Sequence, residues 1–229
     1  MGLTIEKFVT MSPEQWEIVI EGMRNPKNSW GRMDSHITYV EDSETAMRAA
    51  FEFFMGENDH ALCMNLANGG PVHAKYRRMM PVWITLKAPL FWWKEFDTYK
   101  VGTVRNSCST MHKIHVAPFE LDNFAHEGCD EVDFALNTLK ITISTLELLR
   151  KLFNETNDKK YWRAMIELLP DGYLMKATVM LTYENLANMR YWRRNHKLTE
   201  WHTFCDFIES LPYPELMTLE EDDGCTEKL

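Results

Sequence analysis

The sequence predicts an α+β fold, a mixed or antiparallel sheet flanked by helices, one of them long and central. Three observations carry that expectation. Val82, Ile84 and Leu86 alternate with Trp83, Thr85 and Lys87 at the two-residue period of a strand, which Ala88-Pro89 ends because proline cannot continue a ladder. Directly behind it, Leu90, Trp93 and Phe96 recur at helical spacing, so a strand feeds straight into an amphipathic helix entered through proline. Further on, Val132, Ala135, Leu139, Ile143, Leu146, Leu149 and Phe153 hold an apolar stripe for about six turns, the longest helix of the chain.

The other elements follow in order. Thr4 to Val9 reads as a short strand. Ser12-Pro13-Glu14-Gln15 opens a helix to about Arg24, with Ser12 as cap, Pro13 at the first helical position and Gln15 reaching back. Residues 25–32 form a loop. A second helix is expected from near Ser43, with Ala46, Ala49, Ala50 and Phe53 on one face, and a short third from Asp59 to Ala67, stopped by Asn-Gly-Gly-Pro. His112 to Asp130 is irregular and reads either as a lid or merely as a long connection, its length favouring a functional loop. A helix near Lys159 to Leu169 is closed by the Pro170-Asp171-Gly172 turn. Tyr173 to Thr182 is β-rich and suited to pair with the strand ending at Lys87, and Glu184 to Arg194 and Leu198 to Ser210 are two more helices. With no internal repeat and no low-complexity linker, residues 1–217 are expected to be one domain and the acidic tail 218–229 to be frayed.

Composition narrows the function. A chain of 229 residues is long enough for a substantial core, and 45% apolar with 26% charged residues is ordinary for a globular protein. The net charge of −9 argues against a protein that wraps nucleic acid, which needs a basic surface. The five cysteines, Cys63, Cys108, Cys129, Cys205 and Cys225, lack C-x-x-C spacing, so neither a disulfide framework nor a zinc site is expected and a reducing cytoplasm fits. No stretch approaches the ~18 uninterrupted apolar residues of a membrane span, and the N-terminus lacks the order of a signal peptide.

Three polar constellations stand out. Val101 to Lys113 is crowded with hydroxyls, amides, cations and one thiol directly behind two apolar elements, as a site would be. His73, Lys75, Arg77 and Arg78 fall within six residues, which reads either as a ligand segment or as a solvated basic loop. Asn185, Asn188, Arg190, Arg193, Arg194, His196 and Lys197 form the third. Arg190 and Arg194 are four apart and share a helix face, where a phosphate would accept bidentate hydrogen bonds, although a solvated cationic helix end explains them too.

The layout of these segments resembles the flavin-dependent thymidylate synthases. Members carry a strand ending in Lys-Ala-Pro, a helix, and R-H-R-x-x-S-x-N-x-x-S-x-R-Y. This chain has Lys87-Ala88-Pro89, then Thr98-Tyr99-Lys100 where the family has Arg-His-Arg, and Thr103 at its first serine. Asn106 and Ser109 match if one residue is inserted near Arg105; without the insertion Cys108 takes the second serine's place. Upstream, H-x-[ST]-x-x-E-H aligns with His73 to Met79, and downstream L-R-x-x-x-x-A-Q-W aligns Arg194 with the family's arginine. The resemblance spans residues 40 to 212.

It implies FAD, reduced by NADPH, and one-carbon transfer from methylenetetrahydrofolate to dUMP. It implies cofactor contacts from His73, Lys75, Arg78, Glu95, Lys100, Thr103, Asn106, Asn188 and Arg194, nucleotide contacts from Ser109, His112, Arg190 and Arg194, and Ser109 or Cys108 at the reacting ring. A homotetramer with shared sites is implied too, and Phe91-Trp92-Trp93 offers more aromatic surface than one short helix is expected to bury. A bacterial or bacteriophage protein acting in the cytoplasm fits. Two alternatives stay open. One is an enzyme modifying another pyrimidine nucleotide, with Cys108 as a nucleophile if Arg105 and His112 lower its pKa; here the opposing reading of Cys108 is a small buried thiol. The other is a non-catalytic nucleotide-binding protein that kept the fold.

Overall fold

The computed structural model of the chain describes residues 2–41 and 49–218. Its main sheet has four strands in the order β1 (Thr4–Val9), β4 (Pro81–Pro89), β6 (Leu174–Thr182) and β5 (Val104–Ser107), every neighbouring pair antiparallel. The prolines of β4 sit at its two ends, Pro81 opposite Thr182 and Pro89 opposite Leu174, where a missing N–H costs least. The ladder thus includes Ala88 and Pro89 rather than stopping before them. Alternation does the rest. Val82, Ile84, Leu86 and Ala88 are fully buried and meet Met175, Ala177, Val179 and Leu181 on one face.

Helices cover that face. In α1 (Pro13–Arg24) Ser12 and Gln15 form a reciprocal capping box, with Ser12 N–H donating to Gln15 Oε1 at 2.9 Å. The helix buries Trp16, Val19, Ile20 and Met23. α3 (Leu90–Phe96) is short, yet it buries Trp92, Trp93 and Phe96 almost completely. Trp93 Nε1 donates to both Ala88 O (3.1 Å) and Met175 O (3.0 Å), bolting the helix to the sheet. Trp92 lies 4.8 Å from the Trp201 ring in α8 (Thr199–Glu209). The tryptophan pair is therefore consumed within the chain's own core, and the aromatic argument for assembly falls, leaving the homotetramer to the resemblance alone.

The segment from 36 to 54 is the main departure. β2 (His36–Glu41) pairs antiparallel with β3 (Ala49–Phe54), so Ala49, Ala50 and Phe53 belong to a strand and not to the expected second helix; Ser43 and Ala46 lie outside the described residues. Pairing overrides alanine's helical preference here. Phe53 stacks on Trp16 (5.7 Å, 12°), and His36-Ile37-Thr38-Tyr39 supplies β-branched and aromatic partners. α2 (Glu57–Asn68) follows, tied in by a buried ion pair: Arg24 Nε donates to Asp59 Oδ1, and Asp59 Oδ2 accepts from the backbone N–H of Asp34 (3.0 Å) and Ser35 (2.8 Å). A 3₁₀ segment, Ala74–Met79, leads into β4.

The remaining helices are α4 (Glu127–Asp130), α5 (Asp133–Thr156), α6 (Lys159–Leu168) and α7 (Tyr183–Arg193). α5, at 24 residues the longest, joins α6 around a second, smaller core of Ile143, Leu146 and Met165. Ile114, Phe119 and Phe124 insert into it from the 112–130 connection, and Trp162 Nε1 donates to Met111 O at 2.7 Å. These contacts anchor the connection to the second core. Among the described residues no helix is long and apolar enough to cross a membrane.

Candidate nucleotide site

The polar run after α3 folds into a tied loop and strand β5. Thr98 Oγ1 closes the helix by donating to Glu95 O (2.7 Å). Val101 O accepts from Asn185 Nδ2 at 2.6 Å, and Asn185 Oδ1 accepts in turn from Thr182 N–H and Oγ1, so one amide caps α7 and holds the loop. Gly102 is required here, since its φ is +76° and a Cβ would stand 3.2 Å from Asn185 Oδ1. Arg105 donates to Asp97 Oδ2 (2.8 Å) and lies 5.0 Å over the Trp93 ring. Two polar atoms of this stretch, Thr103 Oγ1 and Arg105 Nη1, are buried without a hydrogen-bond partner. Such atoms cost roughly 1–3 kcal/mol each when nothing binds them, a state that Arg77 Nε, Trp92 Nε1 and His115 Nδ1 share elsewhere in the described residues.

Strand register sorts the rest. Asn106 pairs with Thr178, whose hydroxyl meets Thr85 Oγ1 (2.9 Å), on the face away from the core, while Arg105 and Ser107 pair with Val179 and Ala177. Cys108 is exposed rather than a buried thiol, its N–H donating to Lys176 O. Ser109 Oγ accepts from His112 N–H at 2.9 Å, leaving its proton free to donate. Lys100 and His112 are exposed, and Lys100 has no side-chain partner among the described residues.

The arginines of α7 differ from the sequence expectation. Arg190 Nε donates to Glu209 Oε1 at 3.1 Å, and Arg194 reaches Asp206 (2.6 Å) and Glu209 (3.5 Å), so carboxylates of α8 already stand between the two guanidinium groups. Arg193 turns to Tyr99 Oη (3.0 Å) and Glu95 Oε2 (3.1 Å). Trp201 Nε1 donates to that same oxygen at 2.8 Å, and His196 Nε2 lies 3.4 Å from it. Arg78 donates from Nε to both oxygens of Glu184 in the first turn of α7 at 2.8 Å, and exposed Lys75 lies in the same 3₁₀ segment. His73 is exposed, its ring beside Gly69, and Asn188 is exposed on α7. Arg78, the end of α3 and the loop behind it, all distant from α7 in sequence, thus meet that helix: Arg78 at Glu184, the 97–103 loop at Asn185, and Glu95 at Arg193. The clefts of 330 Å³ and 600 Å³ are lined by other residues. Missed from sequence were the roles of Asn185, Tyr99 and Arg105; the Thr182-x-x-Asn185 capping spacing was the one available signal.

This antiparallel sheet, with helices on its core face and a long helix beside it, is the fold of the flavin-dependent thymidylate synthases. Two solved structures of thymidylate synthase X from Helicobacter pylori, both with FAD and dUMP, align with TM-scores of 0.62 and 0.60 at 15% identity, over 96% of this chain and 97% and 98% of theirs. No protein-family model matches the chain, and no curated protein matches it in sequence.

Proposed function

We propose that the chain is a pyrimidine-nucleotide enzyme of the thymidylate synthase X type, converting dUMP to dTMP with FAD, methylenetetrahydrofolate and NADPH. The observation that carries the reading is the pair of unpartnered buried atoms, Thr103 Oγ1 and Arg105 Nη1, on the loop that follows Lys87-Ala88-Pro89 and α3 in this fold. Both can donate to phosphate or carbonyl oxygen, and exposed Lys100 adds a cation three residues before Thr103.

The other groups suit the same ligands. Arg78 and Arg194 are 53% and 42% exposed in ion pairs. Surface pairs of this kind are worth little and exchange readily for a phosphate. With His73 and Lys75 they would hold the cofactor, while Ser109 and His112 would hold the nucleotide. Glu95 brings no free negative charge to the site, because Arg193 neutralises it. Reduced flavin, when bound, would supply the hydride that turns the folate's methylene carbon into the methyl group at C5 of the uracil, the C5 hydrogen leaving as a proton and the folate as tetrahydrofolate, with NADPH as the reductant of the flavin. The protein's own part is orientation: Ser109 Oγ, which accepts from His112 N–H, would donate a hydrogen bond to the ring, the Asn185-pinned loop fixes Thr103, and Asn106 lies on β5 between those two residues. We take residues 1–217 as one domain, acting in the cytoplasm as a homotetramer.

A second reading, a nucleotide-binding protein without turnover, is favoured by one observation. Arg105, Arg190, Arg193 and Arg194 each already have a carboxylate partner. Purification decides between the two: yellow protein that releases FAD on denaturation supports the enzyme, whereas colourless protein that takes up dUMP but no FAD supports binding alone.

A further inference from the structure

A cleft of 600 Å³ lies between the end of α1 and α2 and shares no residue with the candidate nucleotide site. The chain leaves α1 at Arg24 through the 3₁₀ turn Asn25–Lys27, passes Asn28 in the left-handed region (φ 47°), and turns again at Trp30–Arg32. Trp30 Nε1 donates to Asn25 Oδ1 at 2.8 Å and pins the loop. Asn58, Leu62 and Asn65 supply one face of α2 to the opposite wall.

The electrostatics of this cleft run against those of the chain. The net charge is −9, yet Arg24, Lys27 and Arg32 line the cleft and no aspartate or glutamate does. Arg24 is 3% exposed; its Nε binds Asp59, its Nη1 donates to Ser29 O at 3.3 Å, and its Nη2 is buried with no partner. Lys27 and Arg32 are exposed, and neither has a side-chain partner among the described residues. Two unpaired cations beside a rigid, partly unsatisfied guanidinium, facing the Asn58 and Asn65 amides, make an anion site with hydrogen-bonding capacity for more than the anion. The volume is in the range of small-molecule sites.

We propose that this cleft binds a small phosphorylated metabolite, with Lys27 and Arg32 on the phosphate and the α2 amides on the organic part. The inference does not rest on the proposed function, since it shares no residue with that site. The test is calorimetric titration of the full chain with ribose 5-phosphate and with inorganic phosphate, at fixed ionic strength. The Lys27→Ala/Arg32→Ala double variant, Asn65→Asp and Thr103→Val are titrated alongside. Saturable binding of ribose 5-phosphate, weakened at least about tenfold in the double variant and in Asn65→Asp but unchanged in Thr103→Val, is expected. No saturable binding, or full affinity in the double variant, overturns the site. Inorganic phosphate binding as tightly as ribose 5-phosphate overturns the role given to Asn58 and Asn65.

Discussion

Glu95 and Arg193, 98 residues apart in the chain, meet at 3.1 Å, and the shared Glu95 oxygen also accepts from Trp201 Nε1 at 2.8 Å. The pair ties the motif-bearing helix α3 to α7 and α8 and half-buries both charges. Arg193→Ala should cost about 1–2 kcal/mol, because it removes the pair, the Tyr99 bond and the contact with the Trp201 ring. Glu95→Gln should cost less, since the amide oxygen still serves Trp201. Urea denaturation of both single variants and the double should show the double costing less than the sum; strict additivity would mean the two groups do not interact.

Thr103→Val separates folding from binding. Its hydroxyl is buried and unpartnered, so the isosteric methyl should leave stability unchanged or raise it by up to about 1 kcal/mol. The same change should weaken dUMP or FAD binding about tenfold. Thermal denaturation with nucleotide titration checks both, and loss of stability without loss of affinity would remove Thr103 from the site.

Asp59 and Asp171 provide a contrast. Asp59 is fully buried against Arg24 and accepts two backbone N–H groups, so Asp59→Ala should cost about 3–5 kcal/mol through the stranded guanidinium. Asp171→Ala breaks only the exposed pair with Lys94 and should leave the denaturation midpoint in place.

Acid stability should depend on Glu147. Two N–H groups of Arg150 at 2.7 Å hold its carboxyl down, against the opposing effect of burial and with help from Phe119 N–H, to about 2 from the ordinary 4.5. The folded pKa is depressed, so the stabilisation is full above the unfolded value and is lost as pH falls towards 2. Denaturation midpoints measured from neutral pH downward should fall less steeply for Glu147→Gln below about pH 5, from a lower neutral value. Parallel curves would contradict the assignment.

Thiol labelling should separate Cys108 from the buried Cys63 and Cys205. Cys108 is exposed, whereas burial pushes the Cys63 thiol to about 12 and Cys205 to about 11. Mass spectrometry after brief alkylation should find Cys108 modified before either, with dUMP slowing it. Cys108→Ala should retain nucleotide binding and Ser109→Ala should lose it; the reverse would move the reacting ring to the thiol.

Much of the fold was legible because it is local. The capping box at Ser12, the alternation in Val82 to Leu86 and the α5 stripe each depend on neighbours within a few residues. The β2–β3 pairing was not, since Ala49, Ala50 and Phe53 fit a helical face as well as a strand and only pairing with His36 to Glu41 decides. The candidate site was legible as segments but not as contacts. Arg190 and Arg194 do share a helix side, yet nothing near them in sequence announces Asp206 and Glu209. Arg78 with Glu184, 106 residues away, is the same case.

Tritium release from dUMP labelled at C5, in the presence of FAD, methylenetetrahydrofolate and NADPH, reads the proposed reaction itself. Release should require the protein and all three additions and should fall sharply in Thr103→Val. No release from folded protein shown to hold both FAD and dUMP would contradict it.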